Sequence, residues 1–516
     1  MERHRTRRTW GALLALAVAG GLLATGCGGG DDTGAHRAKD AAPAPAYGGG
    51  SVRRQDTGGQ GGGQDERGFA PDPSADPADA LFTFALDVDT ASYDYARRTL
   101  ADGSRPDPST IRPEEFVNSF RQDYRRPDGN GFTVTVDGAR TGAADWSLVR
   151  VGLATRDAGP ADERPPAALT FVLDVSGSMA EPGRLDLAKQ SLGTMTDRLG
   201  DDDSVALVTF SEEAETVLPM TRLGGHRGTV HDAIDTLRTR SSTNLVAGVE
   251  TGYATAVEGL RRGATNRVVL ISDALANDGE TDPDAILERI DTARREHGVT
   301  LFGVGVGSDY GDALMERLAD KGDGHTVYVS GTEDARRVFC DQLPRNIELT
   351  ARDAKAQVAF DPHTVADFRL VGYDDRRVAD DDFRNDRVDG GEVGPGHTVT
   401  ALYAVRTRPG AHGHLATATV RWLDPTTRDP HERSGTLETG ALRESVWSAT
   451  PRFQVTAVAA YFADALRAGE ERHDRLPGAP GLTALRARAH DLAGVTEDEA
   501  VRRLAEAVGQ ADRSVG

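Results

Sequence analysis

The sequence predicts an α/β protein: a doubly wound, mostly parallel sheet set between an N-terminal α+β region, a small β-sandwich and a C-terminal helical segment. Three observations carry this. Between 167 and 345, continuous apolar strands alternate with amphipathic helices, as expected where helices cover both faces of a sheet. From 346 to 442 the helical period gives way to short alternating strands between polar turns. From 443 to 516 the helical spacing returns. At 516 residues the chain is also too long for one core.

The N-terminus is read first. Arg3, Arg5, Arg7 and Arg8 precede the apolar run "GALLALAVAGGLLA", 11–24, which is short of the ~20 residues a membrane span needs. "LATGCGGG" follows, with small residues before Cys27. The pattern resembles a bacterial lipobox, with Ala24 where Leu is usual. It implies a signal peptide over 1–26, lipidation at Cys27 and a membrane-anchored protein on the outer face of the cell membrane. Residues 27–78 are rich in Gly, Pro, Asp and Gln without hydrophobic period, so they are expected to form a disordered tether with a reach of ~40 Å. Net charge is −21, which argues against nucleic acid as a partner.

Order is expected from 79. "LFTFALDV" reads as a strand, and Tyr93, Ala96 and Leu100 follow at helical spacing. "IRPEEFVNSF" starts a helix with Pro113 in its first turn. "GFTVTVDG" and "WSLVRVGLAT" alternate like strands and complete a region over 79–155. Within 167–345 the strands are "ALTFVLDV", "SVALVTFS", "ETVLPMT", "RVVLISDA", "TLFGVGVG" and "TVYVS". "ETVLPMT" follows its neighbour so closely that it should be an antiparallel edge. Leu185, Ala188, Leu192, Met195 and Leu199 stripe the first helix; others are expected near 226–238, 244–262, 282–297, 311–321 and 332–344. After 346 come "AKAQVAF", "DFRLVGY", "TVTALYAVRT" and "LATATVRWL". A helix is expected over 445–469. In "TEDEAVRRLAEAVG", Thr496 and Glu499 suggest a capping box and Gly509 a stop.

Ligands of a doubly wound sheet bind beyond the carboxyl ends of its strands. In "FVLDVSGSMA", Asp174 ends a strand, with Ser176 and Ser178 just past it. Thr243 in "SSTNLVAGV" precedes a helix, and Asp273 closes "RVVLISDALAND". Topology sends all five to one crevice. Two carboxylates and three hydroxyls, without His or Cys, suit a hard divalent cation. Asn244 is expected to start its helix.

"DVSGSM", "STN" and "SDA" resemble the metal-ion-dependent adhesion site of von Willebrand factor type A domains. The resemblance implies a Rossmann-like domain over 167–345 with Asp174, Ser176, Ser178, Thr243 and Asp273 at the metal, Mg²⁺ first and Mn²⁺ or Ca²⁺ as alternatives. It also implies a protein partner whose Asp or Glu completes the coordination. Many members have Thr-Asp-Gly where this chain has Ser272, Asp273 and Ala274. "TFALDVDTASYDYARRTL", "IRPEEFVNSFRQDY" and "TPRFQVTAVAAYFADALR" are similar to the flanking regions of a bacterial subfamily of secreted or lipid-anchored proteins of unassigned function. An enzyme needs a positioned base or nucleophile; no HExxH, G-x-S-x-G or G-x-x-x-x-G-K occurs. The expectation is therefore a binding module, not an enzyme. The alternatives are a Mg²⁺-dependent hydrolase of the cell envelope, or a vestigial metal site with binding through the β-domain.

Overall fold

A computed structural model describes residues 80–515, apart from 87–89, 158–163, 183, 274–287, 289, 294–295, 307–324, 330, 332–337, 340–348, 374–376, 387, 389, 426 and 468–474. The signal peptide, Cys27, the tether and Ala274 lie outside the described residues, as do most of the helices expected over 282–344.

The central sheet runs in the order β6-β5-β4-β7-β8-β9. Its strands are β4 (Ala167–Asp174), β5 (Ser204–Phe210), β6 (Ala214–Arg222), β7 (Thr265–Ser272), β8 (Thr300–Val306) and β9 (His325–Val329). All pairs are parallel except β5 with β6, which forms the expected antiparallel edge. Alternate residues feed two cores. Leu169, Phe171 and Leu173 of β4 pack towards α3 (Leu185–Arg198) and α4 (Arg227–Thr236), with Leu192 and Ile234. Val172, with Val208 and Leu270, packs towards α5 (Leu245–Glu258). Both faces are covered, which explains the unbroken apolar strands.

The α5 helix seats unusually close. A β-carbon on Gly252 would lie 2.3 Å from Val172 Cγ2, and one on Gly248 2.6 Å from the Phe210 ring. Glycine inside a helix costs up to about 1 kcal/mol relative to alanine; here it lets the helix rest on β4 and β5. Its N-terminus, and Thr243 before it, is thereby drawn to the carboxyl edge of the sheet.

The remaining strands differ from expectation in how they are partitioned. The segments 79–155 and 346–442 are not separate bodies. β1 (Leu81–Ala85) pairs with β10 (Ala351–Phe360), while β2 (Phe132–Arg140) and β3 (Trp146–Thr155) join β14 (Thr398–Thr407) and β11 (Val365–Leu370). One sheet runs β12-β1-β10-β15-β16, with β13 also on β10; the other runs β11-β14-β3-β2. Here β12 is Arg377–Val378, β13 Gly391–Val393, β15 His414–Leu423 and β16 Pro430–Glu438. Phe84, Val151, Val358, Tyr403 and Val420 form the core between the sheets. The α/β domain is thus an insertion into one sandwich.

A third layer covers the second sheet. Leu148, Leu402 and Ala404 point away from the sandwich core into a helical core. Its helices are α1 (Ala91–Ala101), α2 (Pro113–Asn118), α6 (Pro451–Arg467), α7 (Leu482–Thr496) and α8 (Glu499–Val515). The expected capping box does not form. Thr496 ends α7 and its hydroxyl donates to the Leu492 carbonyl; Asp498 instead accepts from Ala500 N–H at 2.9 Å. The left-handed turn at Glu497 (φ 50°) separates the two helices. Gly509 does not stop α8, which runs on to Val515.

Arg267, 2% exposed and near the start of β7, ties the inserted domain to the sandwich. Its Nε donates to Thr300 Oγ1 at 2.9 Å and its Nη2 faces Glu392 of β13 at 3.4 Å. The tie lies towards the amino ends of the strands, so the carboxyl edge is left on the other side. Among the described residues no helix is long and apolar enough to cross a membrane.

Candidate functional site

β4 delivers Asp174 to the carboxyl edge with no exposed surface. One oxygen accepts from Ser176 N–H at 2.8 Å, the other from Ser272 Oγ at 2.6 Å. The first bond folds the chain back after the strand. The turn over Gly177–Ala180 then sets Ser176 Oγ and Ser178 Oγ 3.0 Å apart. Four of the expected residues thus stand at neighbouring strand ends, because β7 pairs with β4 and places Asp273 next to Asp174. Burial pushes the Asp174 carboxyl above the ordinary range and the Asp273 charge adds to this, against the opposing bonds from Ser272 and Ser176.

Thr243 arrives from the other side. Arg240 N–H donates to Val175 C=O at 2.6 Å, and Asn244 N–H to Ser211 C=O at 2.6 Å. These bonds pin the segment before α5 to the loops after β4 and β5. Ser242, between them, adopts φ 69°, a left-handed conformation that costs a residue with a β-carbon. Asn244 is the N-cap, accepting from Ala247 N–H at 3.0 Å. It serves the helix, as expected. Thr243 is half-buried on the same edge.

Sequence reasoning missed Arg184 and the role of Ser272. Arg184 precedes α3 and is buried. Its Nη1 donates to Asp273 Oδ2 at 2.7 Å and to Ser178 C=O at 3.3 Å; its Nη2 meets Glu181 Oε2 at 2.8 Å. Nothing in the local sequence marks Arg184 out; its partner Asp273 lies 89 residues on. The other oxygen, Asp273 Oδ1, is buried without a hydrogen-bond partner among the described residues. A buried carboxylate oxygen left so is costly, and a cation is the natural partner for it. The donor set fits a hard ion of that kind. Among the described residues, no three His, Cys, Asp or Glu gather as a metal site; the oxygen donors they bring to this edge are two carboxylates and hydroxyls.

This fold and edge define a class. Residues 168–339 match the model of the von Willebrand factor type A domain, and the chain carries such a domain. Domains of this kind typically mediate protein–protein interaction. On either side, residues 72–149 match a model described as von Willebrand factor, and residues 346–499 one described as the C-terminal part of the uncharacterized protein YfbK. The chain is 36% identical over 333 residues to uncharacterized protein YfbK of Escherichia coli, covering 63% of this chain and 57% of that protein. It is 24% identical over 218 residues to uncharacterized protein sll0103 of Synechocystis sp., covering 42% of this chain and 50% of that one. The chain therefore spans little more than half the length of these relatives. Among solved structures, a von Willebrand factor type A protein from Catenulispora acidiphila aligns over 77% of this chain and 89% of its own, at 16% identity and a TM-score of 0.45.

Proposed function

We propose that the protein is a lipid-anchored binding module of the cell surface, and not an enzyme. In this reading Asp174, Ser176, Ser178, Thr243 and Asp273 hold Mg²⁺, with Mn²⁺ or Ca²⁺ as substitutes, and a protein partner presents an Asp or Glu to the site. A bound Mg²⁺ would supply a hard positive charge with a coordination place open to an external oxygen. The chain's own residues do the rest. Ser272 and Ser176 N–H hold the Asp174 carboxylate in one orientation. Three neutral hydroxyls leave much of the ion's charge uncancelled, which is what attracts an acid from outside.

The observation that carries this reading is Asp273 Oδ1, buried and without a hydrogen-bond partner among the described residues, beside a second buried carboxylate and a hydroxyl pair. Binding is favoured over turnover because the two serine hydroxyls are bonded to each other. Among the described residues, the histidine hydrogen bonds go to groups elsewhere, such as His231 to Asp197 and His414 to Glu438. The anchoring at Cys27 rests on the sequence pattern around it. Calorimetric titration of Mg²⁺ or Mn²⁺ into the purified chain tests the site: wild type should bind one ion and Asp174→Ala should not. Equal binding by both would sink the reading. Capture from envelope extract with and without chelator then tests the partner, which should be lost when the ion is removed.

A further inference from the structure

We propose that Arg184 is a built-in counter-ion of this site: it holds Asp273 and the serine turn together when no divalent cation is bound, and competes with that cation for Asp273. This rests on the metal-binding reading above and concerns how that site is regulated.

The geometry is that of a clasp. One planar guanidinium joins two segments through three groups: Asp273 after β7, and the Ser178 carbonyl and Glu181 side chain in the turn after β4. A rigid fork suits such bridging better than an ammonium. The Arg184 and Asp273 side chains are 7% and 2% exposed, so the pair is shielded from water and salt. Two carboxylates lie close enough here for the Asp273 charge to act on Asp174. A buried acidic pair without a cation is strongly unfavourable. Arg184 supplies one positive charge where Mg²⁺ would supply two, and it satisfies one Asp273 oxygen while the other has no hydrogen-bond partner among the described residues.

Glu181 completes the device. Its side chain is 64% exposed, so it forms a solvated alternative partner at the rim. A cation arriving at Asp273 repels the guanidinium, and Glu181 is already in contact to receive it. The site can therefore stay assembled with or without metal, at the cost of weaker affinity than the same oxygens would give alone.

The test compares Mn²⁺ affinity and thermal stability for wild type, Arg184→Gln, Arg184→Lys and Arg240→Gln. Arg240 is the control: its backbone touches the site, but its side chain pairs with exposed Glu215. Arg184→Gln should bind Mn²⁺ at least tenfold more tightly, a shift of about 1.4 kcal/mol. It should melt below wild type in chelator, and saturating Mn²⁺ should narrow that gap by the linked amount. Arg184→Lys should shift affinity in the same direction by a smaller factor, and Arg240→Gln by less than twofold. If Arg184→Gln folds only with Mn²⁺ present, the counter-ion role is supported. Equal or weaker Mn²⁺ binding by Arg184→Gln, or by Arg184→Lys where Arg184→Gln does not fold at all, overturns it while leaving the metal site intact. Failure of wild type to bind Mn²⁺ removes the metal reading itself, and this inference with it.

Discussion

Arg150 in the sandwich body and Arg184 in the inserted domain are both buried guanidiniums with opposite surroundings. Arg150, on β3, makes a two-pronged pair with Asp137 at 2.9 and 2.7 Å. It also donates to Gln122 Oε1 at 2.9 Å and Thr456 Oγ1 at 3.3 Å. The rings of Tyr124 and Phe453 sit about it at 5.1 and 5.0 Å. It joins β2, the loop after α2 and α6 into one satisfied network. Arg184 also has acceptors, but one oxygen of the carboxylate it grips has no hydrogen-bond partner among the described residues. A satisfied buried charge fastens layers together, and Arg150 does so across three elements.

The first way to break this comparison is to remove Arg150. Arg150→Met removes the donor shared by Gln122 and Thr456, which keep their bond to each other at 2.8 Å, and leaves the half-exposed Asp137 without its partner. Leaving hydrogen-bonding groups without their partner typically costs about 1–3 kcal/mol. Urea denaturation should show a loss of that order, while Mn²⁺ affinity measured on the folded fraction stays at the wild-type value. A comparable change in Mn²⁺ affinity would mean that the two regions are not separable.

Asp174→Asn is the opposite case and should have a smaller effect on stability. Asparagine keeps a carbonyl oxygen to accept from Ser176 N–H or Ser272 Oγ and removes a buried charge that faces Asp273. In chelator, the midpoint of unfolding should move by no more than the equivalent of about 1 kcal/mol, in either direction. The stabilisation that wild type gains from Mn²⁺ should vanish. Thermal melts with and without metal read both quantities. Retained metal stabilisation in Asp174→Asn would contradict the assignment of this carboxylate.

The two regions also differed in how far they could be read in advance. The inserted domain's inner strands were legible because both faces are buried and each is largely one apolar run, while the half-exposed β6 was legible as an edge by its short link to β5. Asp174, Ser176, Ser178 and Asp273 were legible because they stand where such strands end. Thr243 could be placed by its helix. Arg184 was not legible, since nothing local distinguishes an arginine at a helix start from any solvated one; only the seating of β7 beside β4 gives it Asp273 as a partner. The sandwich was legible strand by strand but not as one body. Thr83 of β1 bonds Gln357 of β10 across a separation of 274 residues, and no local pattern encodes such a pairing. β16 was missed because it begins with Pro430 and is mostly exposed, so it lacks the apolar alternation that marks a half-buried strand. The Thr496 capping box failed because α7 extends to that residue and its hydroxyl donates to the Leu492 carbonyl.

The finest prediction concerns Asp464 on α6, a half-buried carboxylate in the body that is not matched by an Arg150-like network. Leu476 N–H donates to it at 3.1 Å, and Arg475 Nε lies at 3.4 Å. Burial nevertheless outweighs these bonds and the charge of Arg475, and the carboxyl is raised above its ordinary value. The folded state therefore binds the proton more tightly than the unfolded chain does. Its contribution is fully present below the unfolded aspartate pKa and is lost as pH rises through the folded one. Asp464→Asn keeps an acceptor for Leu476 N–H and removes the titration. Across mildly acidic pH, wild-type stability should thus carry a small downward component with rising pH that Asp464→Asn lacks. Urea midpoints for the pair, taken at matched ionic strength, isolate it as a difference. If the difference is flat with pH, or rises towards wild type as pH increases, then Arg475 and Leu476 satisfy Asp464 as fully as Arg150 satisfies Asp137, and burial does not dominate at Asp464.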